Sequence, residues 1–201
     1  MARAPLSAVD VEPAAPLAGT GVSALSWSAV IGGTVAAIAV TLTLLALGSA
    51  FGLATISPWP GLGAKPTSFT IGAGIWLVVT QWLSAALGGY IAGRLRVRWT
   101  GLHTDEVFFR DTAHGFLTWA TATVIMAVVS VLAVAMTSAA APAVDVNATK
   151  EAVDAARKVT ATFAAFTGLS LVIGAFIASV AAAYGGRQRD EQEDLMVVAR
   201  R

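Results

Sequence analysis

Residues 27–56 read WSAVIGGTVAAIAVTLTLLALGSAFGLATI, thirty positions without one Asp, Glu, Lys or Arg. A helix needs about 20 apolar residues to cross the hydrocarbon core of a bilayer. Three more windows of the same kind follow, at 69–93, 112–138 and 159–186. None of the chain's 13 basic and 12 acidic residues falls in any of the four. A soluble core does not segregate charge so completely. Backbone polar groups in lipid must be satisfied within the segment, so each window reads as a helix. The expected fold is all-α: an integral membrane four-helix bundle over residues 26–186, with spans at about 27–56, 69–93, 112–138 and 159–186.

Composition agrees. Of 201 residues, 56% are hydrophobic and mean hydropathy is +0.73. Charged residues make up 12%, about half the usual share of a soluble domain. Net charge is +1, with no bulk basic character to suggest nucleic acid. There is no Cys, which removes disulfides, Fe–S clusters and thiolate zinc sites. The first window is too long for a signal peptide, and Arg3 is the one basic residue before it. It reads as an uncleaved first span.

Lys and Arg number one before span 1, one in the first loop, four in the second, three in the third and four after span 4. In a four-span protein the N-terminus, second loop and C-terminal tail share a side, and that side holds nine against four. The positive-inside rule therefore places both termini and loop 94–111 in the cytoplasm.

Residues 1–25 are Ala- and Pro-rich without an apolar period and read as a disordered cytoplasmic tail. The loop SPWPGLGAKPTS is a tight connector with Trp59 at the interface. In NATKEAVDAARK, Asn147 or Thr149 can cap a polar helix leading into span 4, and Asp154 and Lys158 stand four apart in the favourable order. Residues 187–201 read as a charged, solvated tail. Segments LSWSA (25–29) and LTWAT (117–121) resemble each other, as do GIWLVV (74–79) and GLSLVI (168–173), and GGYIAGR and AAYGGR. The nearly constant offset suggests two repeated helical hairpins in one orientation.

Small residues recur four apart: Gly48 and Gly52; Ala85, Gly89 and Gly93; Ala178, Ala182 and Gly186. Such stripes let helix backbones approach closely. No span carries an Asp, Glu, Lys or Arg to bind a coupling ion, and Gln81 is the one side-chain amide. His114 is the one span histidine, which leaves no pair to hold haem. No catalytic or phosphate-binding motif appears, so no cofactor or metal is expected.

The densest patch of chemistry is HTDEVFFRDTAHG, 103–115. One reading makes His103, Asp105, Glu106, Arg110, Asp111 and His114 a metal or acid–base site. Eleven residues of helix separate the histidines by about 16 Å, too far to share one ion. The structural reading is a short cytoplasmic interfacial helix before span 3. Thr104 caps it, Asp105 and Glu106 favour its first turn, and Val107, Phe108 and Phe109 dip into the headgroups. Glu106 and Arg110 form an i,i+4 pair, and Asp111 stands at the threshold of span 3. Arg94, Arg96 and Arg98 can pair with these carboxylates or with anionic lipid.

GGYIAGRL followed by HTDEVFFRDTAHGFLTWA resembles a group of small bacterial four-span inner-membrane proteins, whose proteobacterial members are often labelled PhnA-like. The resemblance covers about residues 26–125, with GGRQRD near 185 as weaker support. It implies a bacterial inner-membrane location and brings no activity with it. The reading that results is a non-enzymatic structural or interaction protein in the lipid bilayer. Loop 94–111, with Arg94, Arg96 and Arg98, is its docking surface for anionic lipid, a protein partner or another copy. A small-solute pore or transporter is the runner-up. A membrane enzyme or metal binder using His103–His114 comes third.

Overall fold

The computed structural model describes residues 23–57, 63, 65–99, 101–140 and 149–199. They form four helices: α1 (Trp27–Thr55), α2 (Pro66–Leu95), α3 (Thr104–Ala140) and α4 (Lys150–Ala199). All four are long and apolar enough to cross a membrane. The chain is an all-α, multi-pass four-helix bundle. Trp59, Asn147 and the N-terminal tail before residue 23 lie outside the described residues.

Local chemistry explains the helix ends. Pro66 opens α2 at a position where its missing N–H costs nothing. The Thr149 hydroxyl accepts a hydrogen bond from the Ala152 N–H at 3.3 Å and caps α4. At α3 the backbone carbonyl of His103 accepts from the N–H groups of Glu106 and Val107 at 3.1 Å, so His103, not Thr104, stands at the cap. The expected interfacial helix is the first turns of α3 itself. Gly101, at φ +81°, turns the chain from the end of α2 toward α3. Asp154 and Lys158 form no ion pair with each other.

Helices α2 and α4 are the central pair; α1 packs on α2, and α3 on α4, with α3 also touching α1 and α2. The contacts are made of small residues. A methyl at Gly89 would overlap the backbone carbonyl of Ala178, and one at Gly93 that of Ala182. From α3, Gly115 meets the same Ala178 carbonyl. Gly33 of α1 sits against the Gly88 carbonyl and Thr118. Two small residues of the expected stripes do other work. Gly48 leaves room for the Trp76 indole, whose N–H donates to the Leu44 carbonyl at 2.9 Å. Gly52 lies against the Phe69 ring.

This packing is concentrated at one end. Buried side chains cluster where α1 and α3 begin and α2 and α4 approach the Arg-rich segment, including Ala29, Val30, Ala92, Ala178 and Ala182. Toward the other end α3 exposes Val124, Val128, Val131, Leu132, Val134 and Met136. In lipid such surface carries no cost, because acyl chains are as apolar as the side chains themselves.

Helix α4 runs 50 residues, about 75 Å at 1.5 Å per residue, well beyond the roughly 30 Å hydrocarbon core. Its last turns are the segment read as a solvated tail. Up to Ala199 that segment is helical; it stays largely exposed while Gln188, Asp190, Gln192 and Asp194 reach the residues at the end of α2.

Candidate functional site

Arg94 and Leu95 close α2, and the chain leaves the helix at Arg96 in an extended conformation, with φ −66° and ψ 156°. Two residues apart on extended backbone, Arg96 and Arg98 fall on one side of it, and Arg94 approaches from the last turn of α2. On the facing helix, Asp190, Glu193 and Asp194 stand three and four apart and so share a face. The two rows meet. Arg94 Nη2 donates to Gln192 Oε1 at 2.8 Å, Arg96 Nη2 to Asp190 Oδ2 at 2.8 Å, and Arg98 Nη2 to Asp194 Oδ1 at 2.6 Å. One turn deeper, Tyr90 Oη donates to Gln188 Oε1 at 2.8 Å, and Gln188 Nε2 donates to Tyr184 Oη at 2.7 Å. Tyr90 and Tyr184, matched in the two resembling segments GGYIAGR and AAYGGR, have ring centroids 6.3 Å apart.

Arg96 is the centre of this end. Its side chain is fully buried and forks onto Asp111: Nε faces Oδ1, and Nη2 donates to Oδ2 at 3.0 Å. The third guanidinium nitrogen, Nη1, donates to the Val97 carbonyl at 3.2 Å. Burial alone would lower the Arg96 pKa; the hydrogen bonds and charges of Asp111 and Asp190 more than offset this and raise it. The Trp99 ring stacks 4.6 Å from the Arg96 guanidinium on one side and 5.4 Å from that of Arg110. Gly186 makes the knot possible, because a methyl there would run into the Asp111 carboxylate and Arg96 Nη2.

His114 sits one turn past Asp111, fully buried. Its Nδ1 lies 2.6 Å from the Arg110 carbonyl and its Nε2 accepts from the Ser26 backbone N–H at 2.8 Å. A carbonyl cannot donate and an amide cannot accept, so Nδ1 carries the proton and the ring is neutral. The imidazole therefore ties the start of α1 to α3, in place of a side-chain cap that Ser26 does not provide. Trp99 covers it, with ring centroids 5.5 Å apart.

The segment 103–114 is thus split. His103 precedes the helix and is exposed, 3.6 Å from the Asp105 carboxylate, which is exposed too. Glu106 and Arg110 pair at 2.7 Å along the α3 surface. Asp111 and His114 point inward. Among the described residues no three His, Asp or Glu side chains gather to hold a metal ion. Of the arginines, Arg96 is enclosed and cannot meet an outside partner, whereas Arg98 keeps about a third of its side chain exposed. Sequence reasoning missed Ser26, Trp99, Asp190 and Gln192. The signal for the last two was the acidic run DEQED placed after the final span, opposite in sign to RLRVR.

No family model, curated protein or solved structure matches the chain.

Proposed function

We propose that the chain is a non-enzymatic structural or interaction protein of the bacterial inner membrane, with both termini cytoplasmic and segment 94–111 as its docking surface. One observation carries the reading. A buried ionic knot joins the end of α2 to α3 and α4, and the same 94–111 segment exposes Leu102, Phe108 and Phe109 and carries the part-exposed Arg98 and Arg110. An apolar and cationic surface on a rigid backing suits the boundary between headgroups and cytoplasm, or a partner seated there. Its cationic contacts are Arg98 and Arg110, part-exposed and already paired with Asp194 and Glu106, rather than the enclosed Arg96. The nine-to-four bias of Lys and Arg supports the orientation. The resemblance of GGYIAGRL and HTDEVFFRDTAHGFLTWA to PhnA-like four-span proteins supports the bacterial location.

The absence of cysteine makes the orientation simple to test. In intact cells a membrane-impermeant maleimide is expected to label Lys65→Cys, and to label Asp105→Cys after lysis alone. The reverse pattern would overturn the topology. For docking, the wild type and an Arg98→Gln, Phe108→Ser, Phe109→Ser variant are purified in mild detergent and their co-purifying proteins and lipids compared by mass spectrometry. At least one species is expected to fall about tenfold in the variant, equivalent to about 1.4 kcal/mol of binding. Identical profiles would sink the docking surface.

A further inference from the structure

Helices α1 and α2 meet closely near the charged end and part toward the other. A methyl at Gly33 would overlap the Gly88 carbonyl, and one at Gly88 would come within 2.8 Å of the Ala37 side chain. Further along α1, the Trp76 indole fills the space beside Gly48. From there a cavity of about 630 Å³ opens, walled by α1 from Leu45 to Ile56 and by α2 from Ser68 to Leu77. A methyl on Gly72, in that wall, would meet nothing within 4 Å. At the far end Ile56 is tied to Gly63 by an antiparallel bridge, which brings the chain round to Lys65, the residue before α2.

The walls are apolar in composition and in their hydrogen bonding. Leu45, Phe51, Leu53, Phe69 and Leu77 line them, and Phe51 stands edge-on to Trp76 with ring centroids 5.9 Å apart. The polar atoms along α1 and at Trp76 are already spent on backbone. The Ser49 hydroxyl donates to the Leu45 carbonyl at 2.9 Å, the Thr55 hydroxyl to the Gly52 carbonyl at 2.8 Å, and the Trp76 N–H to the Leu44 carbonyl at 2.9 Å. A polar solute seated at that depth would lose its own hydrogen bonds to water without replacement.

Length selects among apolar occupants. At 1.5 Å per residue the two walls run about 16 Å along α1 and about 14 Å along α2, half of the roughly 30 Å hydrocarbon core. That is the depth of one leaflet, and so the reach of one acyl chain. A helix of a second copy crosses both leaflets and would need the groove to continue past Gly33 and Gly88, where α1 and α2 are shut. Charge points the same way. Lys65 is the one charged residue between Glu12 and Arg94. It is exposed, it stands one turn before Phe69, and its carbonyl accepts from the Phe69 N–H at 3.0 Å. The amino end of α2 adds its own positive potential. A lipid phosphate at the mouth of the groove meets both.

We propose that the groove between α1 and α2 holds one phospholipid, with an acyl chain against Phe51, Gly72 and Trp76 and its phosphate beside Lys65. The site lies in the leaflet away from the charged end and shares no residue with segment 94–111, so it and the docking surface fail independently.

The test is native mass spectrometry of the full chain, purified in mild detergent and titrated with phosphatidylglycerol. The wild type is expected to retain one lipid per chain, saturably. Gly72→Trp puts a large ring into the groove and is expected to weaken retention at least tenfold through lost apolar contact. Lys65→Gln changes an exposed side chain, leaves the groove as it is, and is expected to weaken retention about fivefold. The Arg98→Gln, Phe108→Ser, Phe109→Ser variant is expected to retain this lipid as the wild type does. Four results would overturn the proposal: no retained lipid, retention unchanged in Gly72→Trp or in Lys65→Gln, retention lost in the docking-surface variant, or a lipid-free dimer that Gly72→Trp converts to monomer.

Discussion

Replacing Arg96 by methionine is expected to destabilise the bundle by about 3–5 kcal/mol, the range for breaking a buried ion pair from one side. The arginine is enclosed, and Asp111 across from it is 2% exposed, so the carboxylate left behind has no route to water. Asp190, with 27% of its side chain exposed, can turn outward and needs no rescue. The double variant Arg96→Met, Asp111→Leu removes both buried charges at once. It is expected to recover most of the loss, since replacing a whole buried pair by apolar groups of similar volume is often neutral. Reversible unfolding by SDS titration in mixed micelles measures both. A single variant within 1 kcal/mol of wild type, or a double variant worse than the single, would contradict the assignment of Arg96 as the buried centre of this end.

The second large effect is at the helix–helix contact. Gly93→Val places a branched side chain where even a methyl would overlap the Ala182 carbonyl and approach the Gly186 N–H at 2.9 Å. Neither atom can yield, because both belong to the α4 backbone. Overpacking of this kind costs typically about 1–3 kcal/mol and occasionally more; a clash with backbone puts this position at the upper end. Gly168→Ala is the control. Nothing lies within 4 Å of a methyl at that position, so the substitution is expected to be neutral or to stabilise by up to about 1 kcal/mol through helix propensity. Both are read in the same SDS titration. Equal effects at the two positions would show that the close approach of α2 and α4 is not what holds the pair together.

These two variants probe what was legible in the sequence to different degrees. Spacing alone marked Gly93, Ala178 and Ala182, because close helix contact in lipid selects small residues at i,i+4. It also marked Gly48, yet the space there is filled by Trp76, a large side chain from the neighbouring helix. A small residue signals room and does not say what occupies it. Gly33, Gly88 and Gly115, which seat the outer helices against the central pair, fall outside the four-residue stripes and were not visible as contacts. In HTDEVFFRDTAHG every reactive residue was visible, and the Glu106–Arg110 pair followed from its spacing. What spacing could not decide was direction. His103 is excluded from the helical face because α3 starts one residue later, and His114 is enclosed because α1 and Trp99 close over it.

The four spans and the charged boundary between them belong to the sequence by itself. The reason is that crossing a bilayer is a local demand: each segment must satisfy its own backbone and present apolar side chains over some 20 residues, whatever its neighbours do. The fate of the charges belongs to the tertiary structure. Arg96 lies 15 residues from Asp111 and 94 from Asp190, and the three meet only because glycine and alanine let α2, α3 and α4 approach to backbone contact. That approach buries one arginine, fixes a neutral histidine beneath it and brings one face of the charged, largely exposed end of α4 against the knot. Burial and partnership are properties of the assembled bundle, and no single segment carries them.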